Sequence, residues 1–113
     1  MAQPTKPQQT SPGCLEIATV RARPGVGRPA MERVLARAQA WLEAQPGFLS
    51  RRLAHDPAED TWVDTIEWRT AEDARRAMEA YAAAPFAAEL DGVVDPASFR
   101  CLHAVPVPLA SAP

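Results

Sequence analysis

Two rhythms of apolar residues run along this chain. From Cys14 to Arg23 (CLEIATVRAR) polar and apolar residues alternate as far as Pro24-Gly25, the period-two pattern of a strand closed by a turn. From Met31 the period changes. Met31, Val34, Leu35, Ala38, Trp41 and Leu42 recur three and four residues apart, with Gln45 next in register, which predicts one buried face of a helix. Pro29 stands at the helix start, where a missing N–H costs nothing. Glu32, Arg33, Arg37 and Glu43 fill the wet side, and Pro46-Gly47 stops the helix.

The second half repeats the scheme. Phe48 to His55 (FLSRRLAH) reads as a strand, DPAED as a polar turn, and Thr61 to Arg69 (TWVDTIEWR) as a strand rich in residues that suit a pleated surface. The short loop between them predicts an antiparallel hairpin. Thr70 is a good N-cap, and Asp73 three residues later gives a variant of the capping box. The helix that follows buries Ala74, Ala77, Met78 and Tyr81, with Glu72 and Arg76 paired one turn apart. Pro85 ends it. Phe86 to Leu90 adds a short turn, Asp91-Gly92 and Asp95-Pro96 are turn signals, and Ser98 to Val105 (SFRCLHAV) is the last strand.

The order β-α-β-β-α-β is that of a ferredoxin-like α+β unit: a four-stranded antiparallel sheet with both helices on one face. Its other face has no cover within the chain. In the third strand Trp62, Asp64, Ile66 and Trp68 share one side, and Val63, Thr65 and Glu67 the other, so apolar groups occur on both. A sheet buried on both faces has this composition. The expectation is a homodimer through the open sheet face, a dimeric α+β barrel. Residues 1–13 and 106–113 are polar or Pro-rich without periodicity and read as flexible tails around a folded unit of 14–105.

Composition narrows the classes of function. The 113 residues allow one domain. Twelve basic and 14 acidic residues give a net charge of −2, which is no footprint for nucleic acid or an anionic membrane. No apolar run reaches membrane-spanning length, and the first residues lack the apolar stretch of a secretory signal, so the expected location is cytoplasmic. Cys14 and Cys101 read as free thiols in such a compartment. There is no phosphate loop, no dinucleotide fingerprint, no nucleophile elbow and no metal-ligand spacing.

The residues left to carry chemistry are few. Asp64, flanked by Trp62 and Ile66, has two readings: a desolvated carboxylate able to act as a base, or a charge tied to Arg51 or Arg52. Trp68 ends its strand at the helix cap, as a packing anchor, a pocket wall offering its indole N–H, or both. His103 shares a face with Phe99 and Cys101; it is a core or interface group, or, beside a cavity, the natural proton acceptor at neutral pH. His55, next to Asp56, reads as a surface or turn group, and Tyr81 as a packing residue.

The element order, together with PGFLSRRL, WVDTIEWRTAEDA and DPASFRCLH, resembles the antibiotic biosynthesis monooxygenase family of the dimeric α+β barrel group, over about residues 14–105. The resemblance implies a pocket between sheet and helices, and oxidation of aromatic phenols without metal or flavin. In the family an Asn four residues before the strand-end Trp binds and activates substrate. Here that pair is Asp64 and Trp68, and an ionised Asp cannot donate a hydrogen bond. Haem-degrading relatives carry the iron-binding His ten residues after the Trp; here that position is Met78, which argues against haem. The expected catalytic set is Asp64, His103 and Trp68. The expected lining is Trp62, Ile66, Met78, Tyr81 and Phe99, with no cofactor and no metal. Two functions follow: a cofactor-independent monooxygenase acting on an aromatic or quinol-like small molecule, or a non-catalytic dimeric module that binds a small molecule or a partner.

Overall fold

The computed structural model describes residues 13–110; of the tails expected over 1–13 and 106–113, residues 1–12 and 111–113 lie outside them. Four strands, β1 (Cys14–Val20), β2 (Phe48–Asp56), β3 (Thr61–Trp68) and β4 (Arg100–Ala104), form one sheet in the order β2-β3-β1-β4, with every pairing antiparallel. Helices α1 (Arg28–Glu43) and α2 (Ala71–Ala80) fill the two crossovers, and α3 (Ala87–Val93) precedes the last strand. This is the ferredoxin-like arrangement. Among the described residues no helix is long and apolar enough to cross a membrane.

The apolar rhythm decides which side of each helix is dry. Met31, Val34, Leu35, Ala38 and Leu42 of α1 are buried, and Trp41 is half-buried beside them. The side chain of Gln45, one step beyond the helix, turns back to donate to the carbonyl of Trp41. Thr70 caps α2: its hydroxyl accepts from the backbone N–H of Asp73 at 3.0 Å. Gly47 has φ +83°, a left-handed conformation that suits glycine, and its carbonyl accepts from Arg69 N–H at 2.8 Å. That bond ties the entry of β2 to the start of α2.

Two expected strand boundaries move by two residues or more, for local reasons. The first strand stops at Val20 instead of Arg23, and the chain then makes a separate bridge between Ala22 and Val94. The last strand starts at Arg100 instead of Ser98, because the Asp95 side chain accepts from Ala97 N–H and rolls Pro96–Ser98 into a 3-10 turn. Tyr81 falls in a 3-10 turn after α2, and the short turn expected from Phe86 is the two-turn helix α3.

Register fixes the two faces. On β1, Cys14, Glu16, Ala18 and Val20 stand opposite Trp68, Ile66, Asp64 and Trp62 of β3 and share the side covered by the helices. Trp68 is 1% exposed and anchors the larger core cluster. Burying roughly 200 Å² of indole at about 25 cal/mol/Å² is an upper bound of about 5 kcal/mol for that ring. Leu15, Ile17 and Thr19 point the other way, beside Val63, Thr65 and Leu102. Leu15, Ile17 and Val63 make this second face partly apolar, and Leu102 on it is 64% exposed among the described residues.

Candidate active site

Between the sheet and the helices lies a cavity of about 410 Å³, within the roughly 300–1,000 Å³ of ligand pockets. Its wall is mostly apolar: Ala38, Trp41 and Leu42 of α1, Ala77 and Met78 of α2, Tyr81 and Phe86 beyond it, Leu90 of α3, Val94 and Phe99 on the way into β4, and Ile66 and Trp68 from the sheet. Its carboxylates are Glu16 and Asp64 from the sheet and Asp91 from α3.

Glu16 is the group that sequence reasoning missed. It stands on the central strand β1, opposite Ile66 on one side and His103 on the other. The indole Nε1–H of Trp68 donates to its Oε1 at 3.0 Å. His103 Nε2 lies 3.4 Å from the same oxygen, long for a good hydrogen bond but an ion pair whenever His103 carries its second proton. Burial raises the pKa of Glu16 above the ordinary carboxylate value, and the charge of Asp64 adds to the effect; His103 and the Trp68 N–H pull the other way. The group therefore holds a proton more readily than a surface glutamate. In CLEIATV the larger aliphatic residues, Leu15 and Ile17, alternate on the side away from the cavity, so hydropathy alone points Glu16 to solvent. The usable signal was a charged residue in the strand that topology makes central.

Asp64 is placed differently from a free base. Arg51 grips it with both ends of its fork, Nε to Oδ1 at 2.9 Å and Nη2 to Oδ2 at 2.7 Å. The Arg51 side chain is 4% exposed, and its Nη1 also donates to the Leu35 carbonyl at 2.9 Å and to Gln39 Oε1. Both carboxylate oxygens are occupied, so of its two readings the structure holds the one tied to Arg51. Asp64 still lines the cavity, from the middle of a strap that joins β2, β3 and α1.

The other expected residues divide. Trp68, Ile66, Met78, Tyr81 and Phe99 line the cavity, with Met78 43% and Phe99 47% exposed. His103 does not line it; it stands behind Glu16. Trp62 lies outside the cavity, in a second core cluster with Met31 and Leu35, because the helix face above that end of β3 is closed by Met31. His55 is no open surface group: its ring packs at a tilt against Trp62, with centroids 4.5 Å apart, and its Nε2 meets Asp60 at 3.0 Å. Cys101 faces inward opposite Ala18, and burial followed by the charge of Glu16 pushes its thiol up to about 11.

Comparison with known proteins gives a family match and several similar folds. Residues 13–88 match the family profile described as antibiotic biosynthesis monooxygenase. Among solved structures the fold is similar to SnoaB, a cofactor-independent oxygenase from Streptomyces nogalater (20% identity, 91% of this chain and 99% of that one, TM-score 0.67). A putative antibiotic biosynthesis monooxygenase from Chloroflexus aurantiacus is similar at 25% identity over 88% of this chain and 97% of that one, with a TM-score of 0.62. The monooxygenase from the ActVA-Orf6 gene of Streptomyces coelicolor, solved with nanaomycin D, shares 18% identity over 90% of this chain and 94% of that one, with a TM-score of 0.60. Among curated proteins no sequence relative was found.

Proposed function

The chain belongs to the antibiotic biosynthesis monooxygenase family, and on that footing we propose that it oxidises a phenolic or quinol-like aromatic molecule with dioxygen and no cofactor. One observation carries the reading: a mostly apolar cavity of about 410 Å³ holds a carboxylate, Glu16, oriented by Trp68 and backed by His103. A flat ring system fits such a wall, and the polar group sits where a ring hydroxyl or an activated C–H can present its proton. The relatives support the reading: one is described as a cofactor-independent oxygenase and another was solved with nanaomycin D.

The chemistry follows from what dioxygen lacks. In its ground state it reacts slowly with paired-electron molecules, so the substrate must first become electron-rich. Glu16 accepts a proton from the substrate, leaving a phenolate or its carbanion form, and His103 stands ready to share that proton. The anion passes one electron to dioxygen. The resulting radical and superoxide combine at carbon, and a proton completes a hydroperoxide. The O–O bond then breaks as the remaining C–H proton leaves, releasing water and forming a C=O bond. One molecule of substrate and one of dioxygen thus give one ketone or quinone and one water. The chain contributes position, a dry wall and a proton acceptor held in place before the reaction starts. Asp64 is assigned to the architecture: a proton there would leave the buried charge of Arg51 unpaired.

The uncovered face of the sheet belongs to the same reading. Ile17 and Leu102 stand opposite one another on it, and a second copy of the chain covers it in a dimeric barrel.

Oxygen uptake with hydroxylated naphthalenes and anthrones tests the proposal, with quinone formation followed by absorbance. The natural protein turns over at least one of them, and Glu16→Gln loses roughly 100- to 10,000-fold in kcat while still binding the compound. Compounds that bind without any uptake would instead favour a non-catalytic binding module.

A further inference from the structure

Glu16 on the cavity wall and two side chains behind it form a cluster that the proposed oxidation does not fully use. The antiparallel pairing of β1 with β4 sets Glu16 opposite His103 and Ala18 opposite Cys101. Cys101 and His103 are two residues apart on one strand, so both project to the side that carries Glu16. A carboxylate oxygen of Glu16, the sulfur of Cys101 and a ring nitrogen of His103 all lie within 4.8 Å of one another.

We propose that Glu16, Cys101 and His103 form a binding site for a thiophilic divalent cation of the Zn²⁺ class. Thiolate, imidazole and carboxylate are the three donor types that bind zinc, at about 2.3, 2.0–2.1 and 2.0–2.2 Å. A tetrahedral ion at those lengths needs its donors about 3.5 Å apart. The contact between Glu16 and His103, at 3.4 Å, is already there. The widest pair must close by roughly 1 Å, which small side-chain rotations supply while the rigid strands hold the Cα positions. Three protein donors leave one position for water. The Trp68 N–H bond to Glu16 gives the cluster the outer-shell support that orients a ligating carboxylate. His103 keeps 29% of its side chain exposed, which provides the entry path. The cation displaces the thiol proton of Cys101 and occupies the carboxylate that the oxidation uses as proton acceptor. Bound metal therefore inhibits turnover; that consequence alone rests on the functional reading above.

Cobalt substitution tests the site directly. Reduced, metal-free, untagged protein is titrated with Co²⁺ without oxygen and followed for the sulfur-to-cobalt charge-transfer band in the near ultraviolet. The expected result is one ion per chain, displaced by Zn²⁺. The band disappears in Cys101→Ser and weakens in His103→Ala, both with unchanged circular dichroism, and persists in His55→Ala. Absence of the band, or a band that survives Cys101→Ser, overturns the proposal. A protein that binds Co²⁺ this way but consumes no oxygen refutes the oxidation and leaves the metal site standing.

Discussion

Replacing Arg51 with methionine removes a buried charge but keeps most of the side-chain volume, and it isolates the role of Asp64. Four contacts are lost: two bonds to the Asp64 carboxylate, one to the Leu35 carbonyl and one to Gln39. Breaking a buried ion pair from one side costs about 3–5 kcal/mol, chiefly because the partner charge is left without compensation. Asp64 keeps 19% of its side chain exposed and borders the cavity, so water relieves part of that penalty and the low end, about 3 kcal/mol, applies. Against a total stability of about 5–15 kcal/mol this is severe. At roughly 4 °C per kcal/mol for a domain of this size, Tm falls by about 12 °C in a calorimetric scan. Pairing Arg51→Met with Asp64→Leu removes both charges and recovers most of the loss, so a double-mutant cycle shows a coupling of about 2–3 kcal/mol. Asp64→Asn keeps a carbonyl for the Arg51 fork, and it leaves the rate of oxygen uptake within about tenfold of the natural protein, because the proton acceptor lies elsewhere. An Asp64→Asn variant that folds normally, binds ligand and is inactive would refute this reasoning and return Asp64 to the role of base.

Three further outcomes are expected. Ala77→Leu projects a larger side chain into the cavity; binding of a fluorescent aromatic probe falls by about tenfold or more with Tm unchanged or higher, whereas a fall in Tm would mean that the space is closed in solution. Gly47→Ala places a methyl group at φ +83° against the side chain of Asp73, and urea unfolding records a loss of about 2 kcal/mol. Leu102→Glu puts a charge on the uncovered sheet face opposite Ile17; the natural chain sediments as a dimer at micromolar concentration and the variant as a monomer, and a natural chain that stays monomeric would remove the reason for an apolar second face.

The period of the apolar residues determined the elements and their order. The α1 face from Met31 to Leu42, the Thr70 cap and the hairpin between β2 and β3 are local consequences of spacing, capping and turn chemistry, and the structure keeps them. Because those elements leave few ways to build a sheet with right-handed crossovers, the order β2-β3-β1-β4 was within reach of the sequence as well. Of the residues expected around a pocket, Ile66, Trp68, Met78, Tyr81 and Phe99 line the cavity and Trp62 does not. The chemistry could not be placed. Which carboxylate is gripped by an arginine and which faces a cavity depends on contacts between residues far apart in the chain: Arg51 with Asp64 across one strand pair, Glu16 with Trp68 and His103 across two others. In a sheet with apolar residues on both faces, the alternation of large aliphatic residues does not mark the side the helices cover, and on β1 it marks the opposite one. Register, a tertiary property, therefore decided that Glu16 points inward and Leu15 and Ile17 outward.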